Sequence, residues 1–260
     1  MRIARLRRIT LAADCGDGLI EDDVLIPTLD AANIACGAHS VAVEEQRHCI
    51  HLCLAHSVDI GAAPDSVERT TLGTRIALTD PGSLATSVCR QVMEFRRLCN
   101  EENATLRFVR MRGTLQAFAS TDPDVAVAIA ESLAAIDRTL TLVAPAESHL
   151  FRAARRAGLR ASGEMFADRI YDADGTLRGR SMHGALIDDF DACLRQALSI
   201  TQQHCVTTHN GTRIFIDADT ICLDAHVPRA AARALFLRRG LTRAGVTCSG
   251  YAATTTPHPE

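Results

Sequence analysis

Short apolar runs alternate with amphipathic stretches from one end of the chain to the other. Ile9 to Ala13, Ala31 to Cys36, Asp59 to Ala62, Phe108 to Met111, Leu140 to Ala144, Ala161 to Phe166 and Thr220 to Leu223 read as strands. Between them, apolar residues at helical spacing predict helices near Val41 to Ser57, Ser83 to Asn103, Asp122 to Asp137, Glu147 to Ala157, Asp188 to Gln203 and Pro228 to Ala244. Thr121-Asp122-Pro123 marks a helix start, since the missing proline N–H costs nothing in a first turn. This repetition predicts an α/β fold with parallel strands and crossover helices, closed as a single (β/α) barrel of about seven strands.

Two irregularities interrupt the alternation. Asn210-Gly211, between Thr207 and a strand Arg213 to Ile216, signals a small antiparallel hairpin inserted before the last barrel strand. Asp172-Ala173-Asp174-Gly175 is a second turn, linking Tyr171 to Leu177. Residues 249–260 are rich in Thr and Pro and are expected to form a disordered tail after a barrel domain spanning residues 1–248.

The chain has 260 residues, and all 28 of its basic residues are Arg. Without Lys there is no Schiff base, no lysine nucleophile and no Walker-type phosphate loop, each of which needs an ammonium. A net charge of −3 excludes a nucleic-acid binder, which needs a basic face. The one basic cluster, Arg2, Arg5, Arg7 and Arg8, precedes only a short apolar run that Asp14 breaks, so neither a secretory signal nor a membrane anchor is expected. A cytoplasmic location follows as the expectation. The ten Cys are scattered. Cys49, Cys53 and His56 share one helix face, but Ile50 and Leu54 lie on neighbouring rows, so a core face rather than a metal site is expected.

In such barrels ligands collect beyond the C-terminal ends of the strands. Polar clusters fall there. Asp14 and Asp17 follow the first strand, Asn33 and His39 the second, Pro64 and Asp65 the third, and Arg110 and Arg112 the fourth. Glu164, Asp168 and Arg169 follow a late strand, and Asp224 and His226 the last.

These segments together resemble the LamB/YcsF family, which includes the A-type subunit of bacterial ATP-dependent 5-oxoprolinase. The most specific pieces are Ala31-Ala32-Asn33-Ile34-Ala35-Cys36-Gly37-Ala38-His39 and Glu164-Met165-Phe166-Ala167-Asp168-Arg169-Ile170-Tyr171. Asp174-Gly175-Thr176-Leu177, Arg180-Ser181 and Gly184-Ala185-Leu186-Ile187 follow in the same order. The resemblance implies a deacetylase-like barrel and opening of the lactam of 5-oxo-L-proline to L-glutamate. It also implies ATP used through partner subunits B and C, with no metal expected. It marks Asp14, His39 and Glu164 as catalytic, with Asn33, Asp168, Arg169, Tyr171, Arg180 and Arg110 binding substrate. A carboxylate such as Asp14 or Glu164 deprotonates water, His39 carries the proton to the departing nitrogen, and a guanidinium pairs with the substrate carboxylate.

The chain departs from the family on its motifs. Thr10, Ala12, Cys15 and Asp17 replace the family's Asp, Asn, Leu and Glu, and Ser40-Val41-Ala42 replaces Ala-Gly-Asp. Gly61-Ala62-Ala63-Pro64 lacks the family histidine, and Arg110-Met111-Arg112-Gly113-Thr114-Leu115-Gln116 lacks the Lys, His and Tyr of Lys-Pro-His-Gly-x-Leu-Tyr. The late Cys-x-His-Gly-Asp becomes Cys222-Leu223-Asp224-Ala225-His226, with acid and imidazole exchanged. Strand alternation would put Asp224 and His226 on one face as a rim pair, about 7 Å apart. With His39 alone kept of four rim histidines, a deacetylase-like metal site lacks its imidazoles. Three functions follow for test: a hydrolase like the A-type subunit of 5-oxoprolinase, a degenerate paralogue serving as a binding or regulatory subunit, and a metal-dependent deacetylase.

Overall fold

In a computed structural model of the chain, residues 7–18, 22–37, 42–65 and 80–251 are described. Parallel strands β1 (Arg8–Cys15), β2 (Ala31–Ala35), β3 (Asp59–Ala63), β4 (Leu106–Arg110), β5 (Thr141–Pro145) and β6 (Arg160–Phe166) pair in chain order. A short antiparallel ribbon follows, β7 (Cys205–Thr207) with β8 (Arg213–Phe215). β9 (Thr220–Leu223) then pairs with both β6 and β1 and closes the barrel at seven strands. All seven strands read from the sequence are therefore barrel staves. Asn210-Gly211 turns the ribbon, with Gly211 at φ 84°, and Tyr171 bridges Leu177 across the Asp172–Gly175 turn.

Around the barrel run α1 (Asp22–Leu25), α2 (Val43–His56), α3 (Pro81–Glu101), α4 (Gly113–Thr121), α5 (Pro123–Ile136), α6 (His149–Arg156), α7 (Phe190–Leu198) and α8 (Ala230–Arg243). Side chains of Asp80, Asp122, Ser148 and Asp189 accept from backbone N–H groups in the first turns of α3, α5, α6 and α7. Each such cap contributes about 1 kcal/mol. The predicted helix over 188–203 is α7 continued by a π turn at Ser199–Gln203. α1 and α4 carry no sequence expectation: α1 is one turn long, and α4 is a nine-residue helix that begins at a glycine. Among the described residues no helix is long and apolar enough to cross a membrane.

Strand alternation separates two cores. Leu11, Ala13, Ile34, Ile60, Val109, Leu142, Met165 and Ile221 face the helices in one large cluster. Ala12, Ala31, Phe108, Val143 and Tyr251 form a second cluster inside the barrel. Gly61 is required there, because a Cβ would lie 2.1 Å from the Phe108 ring.

The start of the expected tail is ordered, which moves that boundary. β10 (Thr247–Cys248) pairs with the first residues of β1, and Ser249 N–H donates to the Ile9 carbonyl at 3.0 Å. Tyr251 enters the barrel from below, its ring 4.7 Å from that of Phe108 and its hydroxyl 2.8 Å from Thr220 Oγ1. Apolar burial of this one ring outweighs the polar composition around it. Residues 252–260 lie outside the described residues.

Candidate active site

Above Phe108 the inward positions change character. Asp14 on β1, Asn33 on β2, Arg110 on β4, Glu164 on β6 and Cys222 on β9 form a polar layer at the barrel mouth. Asp14 and Asn33 are direct neighbours in the β1–β2 register. The Arg110 guanidinium sits at the centre, 2% exposed. Its Nε and Nη2 donate to the two Glu164 oxygens at 2.8 and 3.0 Å, and Nη1 donates to Asp14 Oδ1 at 2.7 Å. The Phe166 ring lies 5.7 Å away. Gln116, in the first turns of α4, donates to Glu164 Oε1 at 2.8 Å. Glu164 is thus held from two sides at 1% side-chain exposure, whereas the Asp14 side chain is 21% exposed.

From Asp14 an alternation of charges continues around the rim. Arg112 Nε lies 3.8 Å from Asp14 Oδ2, and its Nη2 donates to Asp17 Oδ2 at 3.0 Å. His226 Nε2 is 3.1 Å from the same Asp17 oxygen, and its Nδ1 is 3.7 Å from Asp224 Oδ1. Arg180 Nη2 closes on Asp224 Oδ2 at 2.6 Å, with Arg169 Nη1 at 3.6 Å. Hydrogen bonds to Asp17 and then Asp224 push the His226 imidazole up to about 9, so it is a cation at neutral pH. Burial pushes the Asp224 carboxyl up, but His226 and Arg180 outweigh it and hold the group below its usual range. Beneath, Asp168 accepts from the Asp224 N–H at 3.0 Å and faces Arg233 at 3.4 Å. Burial there pushes Asp168 up to about 6. Among the described residues, five carboxylates (Asp14, Asp17, Glu164, Asp168, Asp224) meet five guanidiniums (Arg110, Arg112, Arg169, Arg180, Arg233) and one imidazolium.

Several expected roles change. Arg110 is 2% exposed, and four of its five N–H groups go to Glu164, Asp14 and Gln116, so it first of all organises the carboxylates around it. Tyr171 is buried with its hydroxyl accepting from Phe166 N–H at 2.7 Å, and burial raises its phenol well above the ordinary value; it braces the loop after β6. Asp168 is fully buried and positions Asp224. Asp224 and His226 do meet, but not by strand alternation: β9 ends at Leu223, and a turn in which His226 N–H donates to Asp224 Oδ1 folds the imidazole back. Arg169 is mostly buried and also donates to the Arg178 carbonyl, while Arg180 is half-exposed at the rim. His39 lies outside the described residues. Gln116 was missed because its helix was.

Cys49 and Cys53 are buried, as a core face requires, whereas His56 is exposed and does not share that face. Asp22, Glu45 and Cys49 bring ligand-type atoms within 4.8 Å of one another behind β1. There Asp22 accepts from Gly16 N–H at 2.9 Å and from the Cys49 thiol at 3.4 Å, and burial raises both groups. The neutral thiol is thereby favoured over a metal-ready thiolate.

Residues 9–256 match the model of the LamB/YcsF family. The chain is 38% identical over 244 residues to the A-type subunit of 5-oxoprolinase from Chloroflexus aggregans, covering 92% of this chain and 97% of that one. The crystal structure of a lactam utilization protein from Thermus thermophilus superposes with a TM-score of 0.84 at 30% identity, over 94% of this chain and 100% of that one. At the level of fold alone, the catalytic domain of a peptidoglycan N-acetylglucosamine deacetylase from Eubacterium rectale gives a TM-score of 0.50 at 10% identity, over 98% of this chain and 92% of that one. With the match running through every barrel strand, this chain belongs to the LamB/YcsF family.

Proposed function

We propose that the chain is the lactam-opening subunit of an ATP-dependent 5-oxoprolinase, converting 5-oxo-L-proline to L-glutamate with partner subunits. The observation that carries this reading is Asp14, fixed at the barrel mouth by Arg110 and Asn33 yet open to solvent, in a chain of this family. Asp14 is the carboxylate placed to take a proton from water as its oxygen attacks the ring carbonyl. The carbon–nitrogen bond then breaks and the nitrogen takes a proton, with His39 as the donor that the resemblance implies. Arg112 and Arg180 offer guanidinium to the substrate carboxylate. Glu164 orients Arg110 and is a positioning group. ATP is assigned to the partner subunits, B and C by resemblance, because this chain has no Lys and no Walker loop. The A-type subunit designation of its relatives supports a multi-subunit assembly.

Reconstitution with the partner subunits tests the reading: glutamate forms from 5-oxo-L-proline, and His39→Ala loses turnover. ADP release without glutamate refutes it. A second reading, a binding or regulatory subunit, is favoured by Arg110 at the family lysine position being locked between two carboxylates. Heat of 5-oxo-L-proline binding without glutamate formation would select it.

A further inference from the structure

Asn33 stands beside Asp14 in the polar layer, and its Nδ2 donates to Asp14 Oδ1 at 3.0 Å while lying 3.8 Å from Cys222 Sγ. A carboxylate only accepts, so this bond fixes which end of the amide is nitrogen and directs Oδ1 the other way. Asn33 is 1% exposed, and among the described residues no donor reaches Oδ1. Four of the five Arg110 N–H groups go to Glu164, Asp14 and Gln116. Towards the mouth, the next inward positions, Ala35 on β2 and its partner Ala63 on β3, carry only methyl groups. A buried acceptor without a donor is destabilising, and a ligand that brings an N–H removes that penalty.

We infer that Asn33 Oδ1 accepts the ring N–H of the substrate, so that the site selects secondary lactams. This rests on the proposed function and adds the atom that recognises the scissile amide. The contact also strengthens along the reaction: as the carbon–nitrogen bond breaks and the nitrogen gains a proton, a neutral donor becomes a charged one facing the same oxygen. Asp14 and the ring nitrogen are thereby brought to opposite ends of one side-chain amide, which holds the base and the leaving group in fixed relation.

Calorimetry on the full chain with its partner subunits, without ATP, tests this with three ligands. They are 5-oxo-L-proline, its N-methyl derivative, and the carbocycle with a methylene in place of the ring N–H. The lactam binds at least about tenfold more tightly than the carbocycle, a difference of about 1.4 kcal/mol. The N-methyl derivative is weakened at least as much. Asn33→Ala brings lactam and carbocycle to equal affinity, and the ligand comparison on the unaltered chain stands even where that variant folds poorly. Carbocycle and lactam binding within about twofold on the unaltered chain overturns the inference while leaving the lactam reading intact. Absence of binding by all three overturns both.

Discussion

Replacing Arg110 by Met removes the guanidinium that joins Glu164, Asp14 and Gln116. Glu164 is then left at 1% exposure with the Gln116 amide at 2.8 Å as its remaining donor among the described residues. Stranding one partner of a buried pair costs about 3–5 kcal/mol. Asp14 adds little to this, because it is one-fifth exposed and keeps Asn33 and Arg112. For a chain of this length about 2 °C is lost per kcal/mol, so the melting temperature falls by about 6–10 °C. Thermal unfolding followed by circular dichroism at pH 7 measures it. Arg110→Met with Glu164→Leu removes both charges and recovers most of the loss, since two apolar groups of similar volume restore packing without an unpaired ion. Arg110→Lys falls between, because an ammonium lacks the fork that spans both Glu164 oxygens. A single variant melting within about 2 °C of the parent would show that the pair is not the keystone of the mouth. A double variant no better than the single would refute the stranded-charge argument.

Three further outcomes follow from the same geometry. The raised His226 value means that its contribution to stability is complete below the unfolded value of about 6.5 and is lost as pH rises through about 9. The difference in melting temperature between the parent and His226→Gln therefore shrinks over that window, and a constant difference would contradict the imidazolium bridge. Gly61→Ala drives a Cβ into the Phe108 ring and costs several kcal/mol, which Phe108→Leu in the same chain relieves; denaturant unfolding of the two chains compares them. Tyr251→Ala loses about 3–5 kcal/mol in denaturant unfolding, whereas a polar tail with no role in the barrel would lose nothing measurable.

The barrel was legible because its staves are short apolar runs separated by capped helices, and both features are local. Asp122-Pro123 and Asn210-Gly211 fix their own geometry within four residues. The inward layer was partly legible: Asp14, Asn33 and Glu164 came from motifs, and their positions agree with alternation. What local pattern could not supply is which charges neutralise one another. The alternation Glu164, Arg110, Asp14, Arg112, Asp17, His226, Asp224, Arg180 is ordered by space rather than by chain position, so Arg110 reads as a free rim cation until Glu164 is placed beside it. Tyr171 misleads in the same way, since its partner is a backbone N–H. Tyr251 hides in a polar tail because one inserted ring leaves no periodicity.

Closure of the barrel sets when the protein can fold. β1 takes β9 along one edge and β10 beside its first residues, with Thr10 opposite Thr220 and Arg8 opposite Thr247. Those partners lie more than 200 residues further along the chain. At about 5–20 residues per second, the first strand waits on the order of 10–50 s for them. During that interval β1 and β6 present open, apolar edges, which are templates for pairing with other chains. Loop closure over most of the chain makes this final step slow as well. Chains cut short anywhere before β9 consequently stay open and aggregate, and the yield of native protein is governed by how well the nascent six-stranded sheet is shielded until its seventh strand arrives.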